Sequence, residues 1–239
     1  MNISEIKEKV LLALDEIRPF LASDGGDISL ESIKDEKIVR YKTIKILRVR
    51  SKAMQESMPV GTGGMVAILG SSLSQITEIL PELNKIGKIY IANDNAEGQI
   101  VLSGEISAID HICSNSKIYG LKRAIKLPVS APFHCELINS AKSKIRTEIK
   151  NYNFKDFEFP LISNVEAMPC SSSEIGELLI NQVVSKVRWR ESVEYMIKKN
   201  VTTFIEIGPG KVLSGLVKRI NSDVPVSYTH LTLPTSDLV

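Results

Sequence analysis

The pattern of apolar and polar positions divides the chain into segments with different periodicities. Near the start, apolar residues recur every three or four positions from Ile3 to Ile17, which predicts an amphipathic helix that ends at Pro19. A turn-rich stretch follows, and residues 28–33 then alternate apolar and polar side chains, as strands do. From about residue 38 the chain becomes basic, and its helical spacing predicts a second helix.

The clearest pattern lies between Met65 and Val129. Short apolar runs predict four strands there, and helical stripes predict two helices, with a loop at Asn95–Gly98. The predicted order is strand 65–70, helix 73–83, strands 88–94 and 98–104, helix 106–113 and strand 123–129. This succession is typical of a ferredoxin-like (βαββαβ) domain.

Beyond Pro128 helices and strands continue in an α/β pattern. A strand, a glycine-rich turn and a helix in succession favour a parallel sheet. Residues 227–239 show neither periodicity and predict no core element. The predicted elements are helix 135–150, strand 159–165, helices 175–184 and 189–197, strand 202–207 and helix 212–220.

Composition narrows the classes of function. The 239 residues include 30 Lys and Arg against 28 Asp and Glu, a net charge of +2, so we expect no nucleic-acid partner. No apolar run approaches the roughly 20 residues that cross a bilayer, and no signal peptide is evident, so we expect a cytoplasmic protein without a membrane partner. We also expect a monomer. The three cysteines and three histidines lack the spacing of metal ligands, so we expect reduced thiols, no metal and no cofactor.

Two residues are candidates for chemistry. His134 follows a predicted strand at the start of a predicted helix, where it could exchange protons while a neighbouring carbonyl holds it. The alternative is a capping or packing histidine. Arg50 is a forked, always-charged donor that suits a carboxylate, or else a solvated charge on the basic helix.

The glycine and serine motifs are weaker signals. The motifs at Gly61–Gly63 and Gly208–Gly210 lack the context of a phosphate-binding loop, and we interpret them as turns. No GxSxG pentapeptide, the elbow that presents a nucleophilic serine, occurs in the sequence. The nearest stretch, GSSLSQ at residues 70–75, is predicted to cap the following helix.

Six collinear segments resemble the malonyl-CoA:acyl carrier protein transacylase family. They cover about residues 44 to 224 and lie at 47–70, 93–105, 121–138, 161–167, 187–197 and 204–220. The resemblance implies an α/β fold, with an α/β-hydrolase-like large subdomain at 41–64 and 130–226 and an inserted ferredoxin-like subdomain at 65–129.

The resemblance also implies a reaction and roles. In this family a serine in a GHSLG elbow takes malonyl from coenzyme A and passes it to the phosphopantetheine thiol of the carrier protein. The partners implied are therefore malonyl-CoA and acyl carrier protein. His134 resembles the base that deprotonates the serine, and Gln182 the residue whose backbone carbonyl orients that histidine. Arg50 resembles the arginine that binds the malonate carboxylate, although Ser51 replaces the glycine usual after it, and Asn164 lies in a motif near the active site.

The front of the chain departs from the family. The GQG and GHSLG motifs that precede the arginine are absent, so we expect an incomplete large subdomain and negligible malonyl transfer by this chain. Residues 16–39 instead resemble the opening half of a NifU-like C-terminal domain, an iron–sulfur scaffold, within a short α+β fragment at 1–40 that lacks the CxxC ligands. The alternative functions are therefore an iron–sulfur scaffold or an inactive chimera of two truncated genes, with 227–239 as a non-native tail. A natural fusion is the other explanation for the joined segments.

Overall fold

The computed structural model describes residues 37–207 and 210–229, and the side chains of residues 45–207 and 210–228. The predicted helix at 3–17 and strand at 28–33 lie outside the described residues. Backbone contacts divide the chain into two compact units. The described parts of the first unit are 37–51, 202–207 and 210–229, and the second unit is Lys52–Val201.

Helix α1 spans Lys37–Gln55, which confirms the predicted basic helix. The turn after it depends on Gly61, whose φ of 83° lies in the left-handed region that favours glycine. Strand β1 then begins at Gly63. The glycine motif at Gly61–Gly63 thus forms a turn and a strand start, as predicted.

A four-stranded antiparallel sheet with two helices occupies residues 63–126 of the second unit. Its strand order is β2-β3-β1-β4, so each helix crosses over one intervening antiparallel strand. The predicted order of elements is confirmed, although β2 runs two residues into the expected loop at Asn95–Gly98. The bounds are β1 Gly63–Leu69, α2 Leu73–Leu83, β2 Ile89–Ala96, β3 Gln99–Glu105, α3 Ile106–Asn115 and β4 Arg123–Lys126.

The core of this sheet follows from the two periodicities. Alternate residues of the strands and residues three or four apart on the helices point to one apolar layer. Each buried Ile or Leu contributes about 1.5–3 kcal/mol. Helix α2 is capped by Ser72, whose hydroxyl accepts the Gln75 N–H at 3.2 Å, which confirms the predicted cap. Fully buried core residues include Val66, Ile68, Ile76, Leu83, Ile89, Ile100, Leu102, Ile109 and Ile112.

The remainder of the second unit is less regular than predicted. The expected helix at 135–150 is interrupted, because residues 136–138 form a 3₁₀ turn that aligns side chains three apart and buries both Cys135 and Ile138. The bounds are a 3₁₀ helix at Ser116–Tyr119, a second at Glu136–Ile138, α4 Ala141–Ile149, β5 Leu161–Ile162, β6 Pro169–Cys170, α5 Ile175–Asn181 and α6 Trp189–Lys198.

The predicted strand at 159–165 is wrong in length. Only Leu161–Ile162 is a strand, and it pairs antiparallel with β6. The reason is a tight turn, in which the Ala167 N–H donates to the Ser163 carbonyl at 2.8 Å and the Ser163 hydroxyl accepts the Val165 N–H at 3.2 Å. Ala167 completes the turn with a φ of 56°.

Residues 187–190 fasten strand β2 to helix α6. The Val187 N–H donates to the Ala92 carbonyl at 2.7 Å, and the Asp94 N–H donates to the Val187 carbonyl at 2.9 Å. The Asp94 carboxylate, 1% exposed, accepts the Arg190 guanidinium through Nε at 3.1 Å and Nη2 at 2.7 Å. These bonds to the carboxylate raise the pKa of Arg190 above its ordinary value.

The described part of the first unit includes a parallel strand pair and a helix. Strand β7, Phe204–Ile207, pairs with β8, Val226–Thr229, and helix α7, Val212–Ile220, lies between them in sequence. Residues 227–229 thus form part of a strand where no element was predicted, because β7 offers them a pairing edge, but Ser227 and Tyr228 are exposed, in agreement with the expectation that this stretch adds nothing to a core. Residues 230–239 lie outside the described residues. Glu206 accepts the Ser214 N–H and hydroxyl at 2.8 and 2.6 Å. Partial burial acts to raise the pKa of Glu206, but the hydrogen bonds outweigh it and the pKa lies below its usual range.

Within the described ranges, no helix combines the length and apolar character needed to cross a bilayer.

We expect Asp94→Asn to lower the free energy of unfolding by about 2–4 kcal/mol, because it removes the buried carboxylate that accepts two bonds from Arg190 and leaves only the weaker pair with Glu194 at 3.4 Å. The matched change Glu82→Gln breaks the Lys85–Glu82 pair, in which both side chains are more than half exposed, and we expect it to cost under about 1 kcal/mol. Urea denaturation followed by the fluorescence of Trp189, the single tryptophan, measures both changes. Equal losses in the two variants would contradict the assigned role of the buried pair.

Candidate active site

The loop that carries His134 is held closely against strand β1. The Leu127 N–H donates to the Met65 carbonyl at 2.9 Å. A Cβ on Gly63 would lie 2.5 Å from the Pro132 ring, so glycine is what allows this loop to approach the strand. His134 itself has a φ of 57°, in the left-handed region, and is 4% exposed. It therefore lies in a turn with a strained backbone. The predicted position at the opening of a helix is wrong.

The buried imidazole is oriented by a backbone carbonyl. His134 Nδ1 lies 2.9 Å from the carbonyl oxygen of Gln182. A carbonyl can only accept a hydrogen bond, so Nδ1 carries the proton and, in the neutral ring, Nε2 carries the basic lone pair. The predicted pairing of His134 with the Gln182 carbonyl is therefore present in the structure.

Gln182 suits this role because of its place in helix α5. The helix ends at Asn181 and Gln182 is its C-cap residue, so its carbonyl is among the last in the helix, which have no partner within it. The carbonyl end of a helix carries partial negative charge, which favours a positive imidazolium nearby. The arrangement can thus fix the tautomer and stabilise the protonated ring, as a carboxylate does in a Ser-His-Asp triad.

Cys135, next to His134, is not suited to act as the nucleophile. Its side chain is 1% exposed, and its thiol donates to the Pro132 carbonyl at 3.2 Å and accepts the Ser103 hydroxyl at 3.7 Å. Burial raises the pKa of the Cys135 thiol, so the reactive thiolate is disfavoured near neutral pH. These contacts give Cys135 a packing role beneath the histidine loop.

Asn164 and Gln182 line the same cavity, which has a volume of about 220 Å³. Asn164 lies in the β5–β6 turn, and its carbonyl accepts the Arg188 N–H at 3.1 Å. The Arg188 guanidinium donates to the carbonyls of Val165 and Glu166 at 3.3 and 3.1 Å, so it holds this turn from the outside. The structure thus brings together three of the four predicted site residues. Gln182 accepts the hydrogen bond of His134 and lines a cavity with Asn164.

Arg50 is described separately, because it belongs to the first unit. It lies on helix α1 with a half-buried side chain, and the next residue, Ser51, is buried. Its grouping with His134 rests on the sequence alone and stays a prediction.

Sequence reasoning missed the residues that support the site. Arg188 and Arg190 lie in the segment 187–197, which resembles the transacylase family, but the sequence indicates no role for either residue. A signal did exist for Asp94, since it shares a strand face with the buried residues Ala92 and Ala96. A carboxylate among buried positions implies a charged partner. In the part of the chain that the structure describes, no cluster of three His, Cys, Asp or Glu side chains could hold a metal ion.

Known proteins resemble this chain over most of its length, although no family model matches it. The malonyl CoA-acyl carrier protein transacylase of Staphylococcus aureus strain MSSA476 is 39% identical over 221 residues, 91% of this chain and 72% of that relative. The protein of the same name from Bacillus subtilis strain 168 is 43% identical over 177 residues, 73% of this chain and 56% of that relative. The crystal structure of the Clostridium perfringens transacylase aligns with a TM-score of 0.75 and 41% identity, over 79% of this chain and 60% of that one.

These matches define the class of protein as an acyltransferase with an α/β fold. The chain belongs to the malonyl CoA-acyl carrier protein transacylase family. It spans little more than half the length of the Bacillus subtilis relative.

The comparisons do not support the NifU-like resemblance of the first 40 residues. The Staphylococcus aureus match covers 91% of the chain. The first 40 residues are a larger part of the chain than the 9% left unmatched, so the match must extend into them. The comparisons therefore support neither the iron–sulfur scaffold nor the chimera built on it.

We expect Cys135 to react with iodoacetamide at least about tenfold more slowly than Cys113 and Cys170 at neutral pH. Burial raises the pKa of all three thiols, but Cys113 and Cys170 are only half-buried. A raised pKa keeps the thiol protonated, so the rate should increase as the pH is raised. Timed alkylation with peptide mass spectrometry measures each rate. Denaturing urea is the control, since it should make the three rates alike, and an equally fast Cys135 in the folded protein would be inconsistent with its burial.

Proposed function

We propose that this chain contributes the histidine base and the carboxylate-binding arginine of a malonyl transferase, which moves malonyl from coenzyme A to the phosphopantetheine thiol of acyl carrier protein. The observation that carries the proposal is the 2.9 Å hydrogen bond from His134 Nδ1 to the Gln182 carbonyl. Membership of the transacylase family supplies the reaction, since the family's name includes both malonyl-CoA and acyl carrier protein.

His134 acts through Nε2 in this proposal. With Nδ1 bonded to the carbonyl, Nε2 accepts the proton of a serine hydroxyl as the serine oxygen attacks the malonyl thioester carbonyl. The tetrahedral intermediate collapses, the C–S bond breaks, and the imidazolium returns the proton to the departing coenzyme A thiolate. In the second half, Nε2 takes the proton of the carrier thiol, the thiolate attacks the malonyl-serine ester, and the proton returns to the serine oxygen. The GHSLG elbow does not occur in the 239 residues, so the proposal assigns the nucleophile to no residue of this chain.

Arg50 and Asn164 are assigned to substrate binding. A guanidinium forms paired hydrogen bonds with a carboxylate, so Arg50 would bind the free carboxylate of malonyl and thereby select it over acetyl. Asn164 would offer its amide to the acyl thioester from the cavity that it shares with Gln182. Ser51, in place of the usual glycine, is buried beside the arginine.

The domain boundaries form part of the same proposal. The strand order β2-β3-β1-β4 supports a ferredoxin-like subdomain at 65–129. Residues 41–64 and 130–226 would then form part of the large subdomain into which it is inserted, and strand β8 extends that part to residue 229. A monomeric state and a cytoplasmic location remain predictions.

The test is a chimera in which residues 44–224 replace the matching part of the Bacillus subtilis transacylase. We expect the chimera to form a malonyl-enzyme, seen by intact mass spectrometry, and to pass malonyl to carrier protein. His134→Ala should lower kcat by about a thousandfold or more, because the serine loses its base. Arg50→Ala should raise the KM for malonyl-CoA and remove the preference for malonyl over acetyl. The 239-residue chain alone should form no malonyl-serine.

The matched control is His111→Ala. His111 is a half-buried histidine on α3 that hydrogen-bonds to the Tyr119 hydroxyl at 2.9 Å, and we expect the variant to keep its kcat. A chimera that turns over at the normal rate with His134→Ala would refute the assigned base.

A further inference from the structure

A basic surface with an exposed apolar residue at its edge lies beyond the groups that the proposed reaction uses. Residues 116–126 contain four cationic side chains and no acidic one. Ile118 lies within this stretch and is 78% exposed. We call Lys117, Ile118, Lys122 and Arg123 the basic corner.

The backbone of the basic corner is held firmly, so the exposure of Ile118 follows from the fold. The 3₁₀ helix Ser116–Tyr119 ends at Gly120, which has a left-handed φ of 66°. The Gly120 carbonyl accepts the Gln75 side-chain amide at 3.1 Å. Leu121 is buried in the core, and its N–H donates to the Ser116 carbonyl at 3.0 Å. With both neighbouring segments fixed, Ile118 projects into solvent.

The cations of the corner are exposed and are not neutralised by neighbouring acids. Among the ion pairs of the described residues, Lys126 pairs with Asp110 at 2.6 Å, whereas Lys117, Lys122 and Arg123 take part in none. The stem of Lys122 lies over Gly70, where a Cβ would come within 2.8 Å of Lys122 Cδ. The aliphatic part of the Lys122 side chain therefore packs on the backbone at Gly70, which limits where its ammonium group can lie.

Protection of the sheet edge does not account for this arrangement. Strand β4 is an edge strand, and charged side chains on such strands prevent unwanted pairing. That explains Arg123, which lies on β4, but not Ile118 or Lys117, which precede the strand. An exposed apolar residue beside unpaired cations has instead the composition of an anchor and rim in a protein interface.

We infer that the basic corner is the surface that docks acyl carrier protein. This inference rests on the proposed function and names the part of the chain that meets the partner. Phosphopantetheine is attached to its carrier through a phosphodiester, so the partner presents at least one anion beside its protein surface. The unpaired cations would steer and orient that anionic face, and Ile118 would supply the apolar contact.

The test measures binding of the full chain to holo-acyl carrier protein from Bacillus subtilis by isothermal titration calorimetry at low ionic strength. We expect Lys122→Glu with Arg123→Glu to weaken binding about tenfold or more, and Ile118→Asp to weaken it severalfold. The difference between wild type and the charge reversal should shrink as salt is added. Circular dichroism of each variant checks that the fold is retained.

The α2–β2 connection supplies a matched control, because it too holds cations beside an exposed isoleucine. Lys85 and Lys88 flank Ile86, which is 39% exposed, but Lys85 already pairs with Glu82. Lys85→Glu with Lys88→Glu, and Ile86→Asp, should leave the affinity within about twofold of wild type. Equal losses of affinity at the two sites would overturn the inference. So would no binding by the wild-type chain, or equally tight binding of a DNA duplex.

Binding of the carrier protein requires no serine. Normal docking without malonyl transfer in the chimera would therefore reject the proposed function and leave the docking surface intact.

Discussion

The hydrogen bond between His134 and the carbonyl of Gln182 is the interaction on which the candidate site depends. It joins residues 48 positions apart, and each partner is placed by a different device. His134 is brought inward by a left-handed backbone behind Pro132, which packs on Gly63. Gln182 offers its carbonyl because helix α5 stops there. Loss of either device would leave a buried imidazole without a defined tautomer, and a base without a tautomer cannot be aimed at a hydroxyl.

The site also depends on bonds that hold the second unit together. Residues 187–190 form hydrogen bonds with both strand β2 and the β5–β6 turn. Arg190 bonds to β2 through the buried carboxylate of Asp94. Arg188 bonds to the turn through the backbone carbonyls of residues 164–166. Buried ion pairs contribute little net stability but penalise arrangements that separate the charges. The pair therefore specifies where β2 and α6 meet, and Arg188 specifies the turn that lines the cavity with Gln182.

The sequence could predict some of the site and could not predict the rest. His134, Gln182 and Asn164 were reached through the resemblance, because short motifs persist where chemistry constrains them. The β5–β6 hairpin was missed, since the apolar run at 159–162 looks the same whether its strand partner is parallel or antiparallel. The role of Asp94 was missed because its partner Arg190 lies 96 residues away, and nothing in a single sequence connects them.

By itself the sequence determined the four strands and two helices at 63–126, because their periods of two and 3.6 residues are local properties of the chain. It also determined the family, through motifs in a fixed order. Only the tertiary structure decided which imidazole nitrogen carries the proton, that Cys135 is buried and its thiolate disfavoured, and that Ile118 is left in solvent beside unpaired cations. Each of these depends on atoms contributed by segments distant in sequence, whose approach is a consequence of packing.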